Sequence, residues 1–212
     1  MTPLAALFLV LAAALAVVDW TAVARGRRTV EYVAKPGTTL ALVGVAASLD
    51  AAHPDTQALF VAALVASLAG DVFLMLPGDR LVQGLGSFLI AQVLYTIGFA
   101  LHGGGAAAYA VGAVVAAALI TPAALRFVRA LRTADRNALV GPVVVYMSAI
   151  SAMVMSAIAS GNAFAIVGAL LFFTSDALIA ETRFVRPRTW GPVAIMVTYH
   201  LAQAGLVLSL LS

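Results

Sequence analysis

The sequence has no cysteine and contains few charged residues for its length. Of its 212 residues, 10% are charged and 63% are hydrophobic, whereas a soluble domain of average composition has roughly 25% charged residues. The absence of cysteine excludes disulfides, thiolate metal ligands and cysteine nucleophiles. The shortage of charge, with a mean hydropathy of +1.06, excludes an ordinary soluble domain and indicates an integral membrane protein.

Several catalytic motifs are also missing from the sequence. It contains no G-x-S-x-G nucleophile elbow, no H-E-x-x-H zinc motif and no P-loop. The three histidines, His53, His102 and His200, fall at different depths along their segments, which predicts no zinc set among them. We therefore expect neither a metal nor a cofactor. Any enzymatic chemistry is then predicted to be acid–base catalysis by carboxylates, one lysine and hydroxyl or amide groups.

Long apolar runs fill most of the chain and predict an all-α bundle of transmembrane helices. Such runs suit bilayer-spanning helices, and the Gly-, Pro-, Asp- and Arg-rich connections between them suit turns between antiparallel neighbours. The first run is too long for a signal peptide and has no basic segment before it, so we interpret it as a retained span. Eight segments are predicted within a single transmembrane domain, 1–212: 3–24, 36–49, 56–76, 81–101, 106–125, 138–160, 162–180 and 190–211.

The second segment is the shortest, at about 14 residues or roughly 21 Å of helix. Pro36 at its start suits the first position of a helix, where the missing N–H needs no partner. Lys35 directly before it is then predicted to lie at the membrane boundary, where its long side chain either reaches the lipid phosphates or enters a site.

The positive charges occupy alternate connections, which predicts the orientation of the chain. All lysines and arginines fall in four connections, and the connections between these four contain none. By the positive-inside rule the four basic connections are cytoplasmic and both termini are non-cytoplasmic. The excess of positive charge is thus explained by the orientation of the protein in the membrane and does not indicate binding to nucleic acid. We expect membrane lipids as partners. The predicted location is the cell (inner) membrane, as a multi-pass protein. The four basic connections contain Arg25, Arg27, Arg28 and Lys35; Arg80; Arg126, Arg129, Arg132 and Arg136; and Arg183, Arg186 and Arg188.

Ionisable residues inside the apolar segments are costly in a bilayer and often mark functional sites. Asp71 and Asp176 each lie about one helical turn from the predicted cytoplasmic end of a segment, at the same level as Lys35. Their alternative role is structural, as polar contacts between helices. Asp19 and Glu181 lie near arginines at segment ends, and we interpret them as interfacial ion pairs.

Tyrosine and glutamine pairs accompany these carboxylates in two segments. Gln92 and Tyr95 share one helix face at a spacing of three residues, and Tyr199 and Gln203 share another at a spacing of four. Taken alone, such pairs are more often interhelical hydrogen bonds than catalytic groups. His200, near the middle of the last segment, is equally consistent with a core histidine and a site residue.

Six short motifs in order resemble the YhhN-like lysoplasmalogenase family of eight-span membrane proteins. The resemblance extends from about residue 30 to the C-terminus, and the Ser-Asp pair of the seventh segment is its most specific part. The family pattern has a histidine three residues before the fourth-segment tyrosine, whereas this chain has Gln92 there. The motifs are AKPGTT (34–39), SLAGDVFLM (67–75), GSFLIAQVLY (86–95), YMSAISAM (146–153), GALLFFTSDALIAETRF (168–184) and TYHLAQ (198–203).

The resemblance implies an ether hydrolase that cleaves the vinyl ether bond of lysoplasmalogens. Together with the predicted orientation of the chain, it suggests that the lysophospholipid comes from the cytoplasmic leaflet. By position, the resemblance implies functional roles for Lys35, Asp71, Tyr95, Asp176, Tyr199 and Gln203. Vinyl ether hydrolysis needs one protonated carboxylic acid and one carboxylate, so we assign Asp176 as the general acid and Asp71 as the stabilising base, and the exchange of these two roles stays open. Substrate is then expected to be bound by Lys35, Tyr199, Gln203, Tyr95 and Gln92. Two alternatives remain at this point: a small proton-coupled transporter, and a lipid-binding membrane protein without catalysis.

Overall fold

The chain folds into eight α-helices joined by short connections. The structure is a computed structural model that describes residues 1–78 and 80–211. A short 3₁₀ turn precedes α6, a π-helical turn follows α7, and a second 3₁₀ turn follows α8, at Asn137–Leu139, Glu181–Val185 and Ser209–Leu211. The helices are α1 (Pro3–Ala24), α2 (Arg28–Ser48), α3 (Pro54–Met75), α4 (Leu81–Leu101), α5 (Ala106–Thr133), α6 (Val140–Ala159), α7 (Ala163–Ala180) and α8 (Gly191–Leu208).

The predicted all-α membrane bundle is confirmed. Within the described residues, seven of the helices are long and apolar enough to cross a membrane, and only α2 falls outside that group. Helices that follow one another pack as antiparallel pairs, α1 with α2, α3 with α4, α5 with α6 and α7 with α8. The chain is therefore a polytopic membrane protein built from four helical hairpins.

Helix α2 differs from its prediction at the N-terminal end. It begins at Arg28 rather than at 36, so Pro36 lies in the helix interior and the proposed first-position role is wrong. Hydropathy detected only the apolar part of α2, because Glu31 and Lys35 interrupt the run without interrupting the helix. Proline has no N–H, so the carbonyl of Tyr32 lacks its usual helical donor. Lys35 is consequently a helical residue with a fixed direction into the bundle.

Helix α5 is also longer than predicted, extending to Thr133 instead of 125. Its last turns carry Arg126, Arg129 and Arg132, which end the hydrophobic run while remaining good helix formers. The seventh helix ends at Ala180 as predicted, and its backbone continues as the π-helical turn to Val185. The arginines after residue 125 thus extend α5 rather than form a separate loop.

Close contact between α7 and α8 depends on glycine. A Cβ atom added to Gly168 would lie 2.8 Å from the Leu206 backbone nitrogen and 3.0 Å from the Ala202 carbonyl oxygen. Gly205 faces Gly168 across the same contact, so two backbones approach without side chains between them. Small residues at membrane helix contacts allow this approach, which strengthens dispersion contacts. The contact fixes α8, and with it Tyr199 and Gln203, against α7.

We predict that Gly168→Ala lowers stability by about 1–3 kcal/mol, because the added methyl group meets backbone atoms that cannot rotate away. The measurement is the thermal midpoint of the purified protein in one detergent. Gly86→Ala is the matched control, since a Cβ atom at Gly86 in α4 has no atom within 4 Å. A Gly168→Ala midpoint equal to or above that of Gly86→Ala would contradict the tight contact.

Candidate functional site

A buried ion pair links α2 to α3 near the predicted cytoplasmic end of the bundle. Lys35 Nζ lies 3.4 Å from Asp71 Oδ1, and the lysine is only 5% exposed. Thr39 and Tyr199 both donate hydrogen bonds to Asp71 Oδ2, at 2.7 and 2.8 Å. Lys35 therefore enters the bundle instead of reaching out to the lipid phosphates. Asp71, which is fully buried, is held by partners from two other helices, α2 and α8.

A chain of hydrogen bonds continues from this ion pair into α4. Gln203 Nε2 donates to the Tyr199 hydroxyl at 3.3 Å, and Tyr95 donates to Gln203 Oε1 at 2.7 Å. Five of the seven residues predicted from the sequence are thereby joined in one buried network. The sequence interpretation missed Thr39, although it lies one helical turn after Lys35 on the same face.

Asp176 belongs to a second network. Gln92 Nε2 and the Tyr146 hydroxyl both donate to Asp176 Oδ2, at 3.2 and 2.7 Å. Asp176 also lines a cavity of about 40 Å³ whose other walls are mainly apolar, among them Leu85, Phe88 and Met147. The sequence interpretation missed Tyr146, the first residue of the YMSAISAM motif. A buried tyrosine usually has a hydrogen-bond partner for its hydroxyl group, so this residue was a candidate.

The two carboxylates share no hydrogen-bond or ion-pair partner among the described residues. Aromatic rings connect their surroundings instead. Phe88, in the wall of the Asp176 cavity, packs edge-on against Tyr199 with ring centroids 5.7 Å apart. Gln92 and Tyr95 lie one turn apart on α4, so that helix contributes a donor to each network. The carboxylates therefore have separate and different environments: Asp71 has a cationic partner, whereas Asp176 has neutral donors.

Asp19 is a third carboxylate of this region, and its interpretation as an interfacial ion pair is wrong. Its side chain is fully buried, and neither oxygen has a hydrogen-bond partner in the described part of the chain. The nearby charges are those of Lys35, Glu31 and Asp71. A signal was present in the sequence: Ala12, Ala16 and Asp19 follow helical spacing, and the structure buries this face of α1.

Other buried polar atoms surround these acids. Trp20 Nε1 donates to His200 Nδ1 at 3.1 Å, which leaves His200 Nε2 without a partner among the described residues. Gln92 Oε1 likewise accepts no hydrogen bond there, and Asp71 Oδ1 has only its ion pair with Lys35. Unpaired buried polar atoms are unfavourable by about 1–3 kcal/mol each. The unused acceptors of Asp19 and Gln92, together with the unused Nε2–H donor of His200, make the region suited to a polar ligand or to water.

Glu181 forms ion pairs with arginines, as predicted. It accepts two hydrogen bonds from Arg126, at 3.0 and 2.9 Å, and lies 3.4 Å from Arg188 Nη2. These contacts join the π-helical turn after α7 to the last turns of α5. Glu181 therefore contributes to the arginine-rich end of the bundle and not to the buried networks.

Comparison with known proteins identifies the family. Residues 30–210 match the YhhN family. The chain belongs to the YhhN family. It is also 33% identical over 153 residues to the human protein lysoplasmalogenase TMEM86B, covering 72% of this chain and 63% of that relative's length. No solved structure matches the chain.

The region that matches the YhhN family contains both hydrogen-bond networks but not α1. Asp19 and Trp20 precede residue 30, so they lie outside the matched region. Gln92 lies within the matched region and donates a hydrogen bond to Asp176. A neutral amide therefore orients the carboxylate here without being able to exchange a proton with it.

Proposed function

We propose that this protein is a lysoplasmalogenase-like hydrolase that cleaves the vinyl ether bond of a lysoplasmalogen, or of a related lysolipid, to a fatty aldehyde and a glycerophospho-base. The observation that carries the proposal is the contrast between two carboxylates, the fully buried Asp71 and the partly buried Asp176. Asp71 is paired with Lys35, and Asp176 lies in an apolar cavity with only neutral hydrogen-bond donors. The similarity to lysoplasmalogenase TMEM86B supports the reaction class.

Vinyl ether hydrolysis needs a proton donor and a stabilised cation. In the proposed reaction, protonated Asp176 transfers its proton to the outer alkene carbon, and the electrons of the double bond form the new C–H bond. The ether oxygen then shares the positive charge of an oxocarbenium ion. Water adds to the adjacent carbon and returns a proton, and the hemiacetal collapses to aldehyde and alcohol. Two carboxyl groups in different environments suit these opposite roles.

The donor atom of Asp176 follows from its contacts. Both Gln92 and Tyr146 bond to Oδ2, so Oδ1 receives no hydrogen bond from the described residues. Oδ1 is then the oxygen available to carry a proton toward the cavity. We assign Asp71 to stabilising the cation and orienting water, with Tyr199, Gln203 and Tyr95 as positioning residues. Lys35, because it is buried against Asp71, is assigned to keeping that carboxylate ionised rather than to binding phosphate directly.

The orientation of the site belongs to the same proposal. Asp71 and Asp176 each lie four residues before the last residue of their helices, α3 and α7, or roughly 6 Å along the axis. With the arginine-rich connections in the cytoplasm, a lysolipid in the cytoplasmic leaflet places its linkage at this depth. The proposal therefore includes a multi-pass protein of the cell membrane, with both termini outside and the site toward the cytoplasm.

The substrate assay tests this proposal. Purified protein in lipid nanodiscs is given a lysoplasmalogen, its saturated alkyl ether counterpart and its ester counterpart, and free aldehyde and fatty acid are measured. We expect aldehyde from the vinyl ether alone, because only that bond can form an oxocarbenium ion by protonation of carbon. Fatty acid from the ester would contradict the mechanism. No product from any lipid, together with solute flux in vesicles, would instead support a transporter.

A further inference from the structure

Two histidines and an aspartate meet at the end of the bundle opposite Lys35. His53 directly precedes α3, Asp55 lies in the first turn of α3, and His102 directly follows α4. Asp55 is 16 residues before Asp71 in the same helix, a separation of roughly 24 Å. This group therefore lies far from both buried networks and has no part in the proposed hydrolysis.

The three side chains are close enough to bind one metal ion. One ligand atom from each residue can be chosen so that all three lie within 4.8 Å of one another. His102 Nε2 is 3.1 Å from both oxygens of Asp55, and the His53 and His102 rings are stacked with centroids 3.7 Å apart. All three side chains are exposed, so an ion in solution can reach them.

We propose that His53, Asp55 and His102 form a zinc-binding site with two histidine ligands, one carboxylate ligand and an open fourth position. Imidazole and carboxylate suit Zn²⁺, and three protein ligands with one water is a common arrangement for accessible zinc. Imidazole lone pairs lie in the ring plane, so the stacked rings must tilt apart for both nitrogens to point at the ion. The exposed setting leaves room for that rotation.

A cavity of about 270 Å³ adjoins the site. The open fourth coordination position of the zinc ion would point into this cavity. His53 and His102 form part of its wall, together with the polar side chains of Thr56, Ser160 and Asn162. These groups suit a zinc-bound water or a small anionic ligand. The positions of the three histidines along their segments predicted that they would not share a metal ion. The fold nevertheless brings His53 and His102 together and places Asp55 beside them. The expected absence of metal thus does not extend to this end of the bundle.

Zinc also has a structural consequence here. Because His53 and Asp55 start α3 and His102 ends α4, a shared ion would tie the two ends of one helical hairpin together. Binding to the folded protein then raises its stability, since the unfolded chain does not hold these ligands in place.

Zinc titration of a tag-free protein tests the site. Metal-stripped protein in detergent is titrated with ZnCl₂ by calorimetry, and separately with CoCl₂ while the visible spectrum is recorded. We expect one ion per chain, a cobalt spectrum typical of four-coordinate nitrogen–oxygen ligation, and a zinc-dependent rise in the thermal midpoint. His53→Gln, His102→Gln and Asp55→Asn should each weaken binding by more than about tenfold to a hundredfold, which is the loss caused by removing a group that only orients a ligand.

Asp50→Asn is the matched control, because Asp50 is an exposed carboxylate in the same α2–α3 connection but outside the group. It should bind zinc as the unmodified protein does. Equal binding by His102→Gln and Asp50→Asn would overturn the proposal, as would the absence of saturable binding. In either case His102 and Asp55 form an ion pair without a metal. None of these results depends on whether the protein hydrolyses lysolipids.

Discussion

Asp176→Asn is expected to abolish aldehyde release, lowering the turnover rate by about a hundredfold to ten-thousandfold, which is the usual contribution of a general acid. Asparagine has nearly the same shape as aspartate but no acidic proton. Its carbonyl oxygen can still accept the hydrogen bonds that Gln92 and Tyr146 donate to Asp176 Oδ2. The fold and the binding of substrate should therefore persist while protonation of the alkene fails.

The measurement is steady-state aldehyde formation in nanodiscs, combined with the thermal midpoint as a check on folding. Asp135→Asn is the matched control, since Asp135 is exposed in the α5–α6 connection. Its backbone angle φ is 53°, a conformation that asparagine tolerates well. The control should retain full activity. An Asp176→Asn protein that is folded and fully active would contradict the assignment of Asp176 as the general acid.

Lys35→Met is expected to destabilise the protein by about 3–5 kcal/mol, because it leaves the buried Asp71 carboxylate without its cation. Asp71→Asn should be milder: Lys35 then loses one partner, but Asp19 remains within its electrostatic reach. The double variant Lys35→Met/Asp71→Asn removes both members of the pair and should recover much of the stability lost in Lys35→Met. All three variants should lack aldehyde release, because Asp71 is absent or improperly charged.

Thermal midpoints and aldehyde formation of the four proteins complete this double-mutant cycle. Arg126→Met provides the contrast of an exposed ion pair, since the Arg126 side chain is 54% exposed and Glu181 keeps Arg186 and Arg188 nearby. That change should alter stability by no more than about 1 kcal/mol. Additive effects in the cycle would show that Lys35 and Asp71 do not interact, and activity in the double variant would remove Asp71 from the mechanism.

The sequence by itself determined the class of fold and pointed to most residues of the candidate site. Hydropathy alone predicts the membrane helices, because transfer into lipid depends on runs of apolar residues and hardly on their neighbours. The short motifs predicted the YhhN family, which the match over residues 30–210 confirms. Asp71, Asp176 and Lys35 also stood out from the sequence, since ionisable residues are rare in hydrocarbon. Glu181 was correctly predicted to form an ion pair with arginine.

Hydropathy was less informative where polar residues continue a helix. Helix α2 extends through Glu31 and Lys35, and α5 extends through its arginines, because helix formation depends on backbone hydrogen bonds and not on apolarity. Asp19 was given the wrong role because the packing of α1 cannot be read from hydropathy. Its distance along the chain from the arginines suggested an ion pair, whereas the packing of α1 buries it near Lys35.

Only the tertiary structure decided which polar groups meet. Asp71 receives its hydrogen bonds from Thr39 and Tyr199, which lie 32 and 128 residues away along the chain. Tyr146 reaches Asp176 from a different helical hairpin, and His102 meets Asp55 across 47 residues. Helical periodicity tells which side of a helix a residue occupies, but the partner on that side depends on how the hairpins pack. Gly168 allows one such packing contact, which holds α8 and its tyrosine in place.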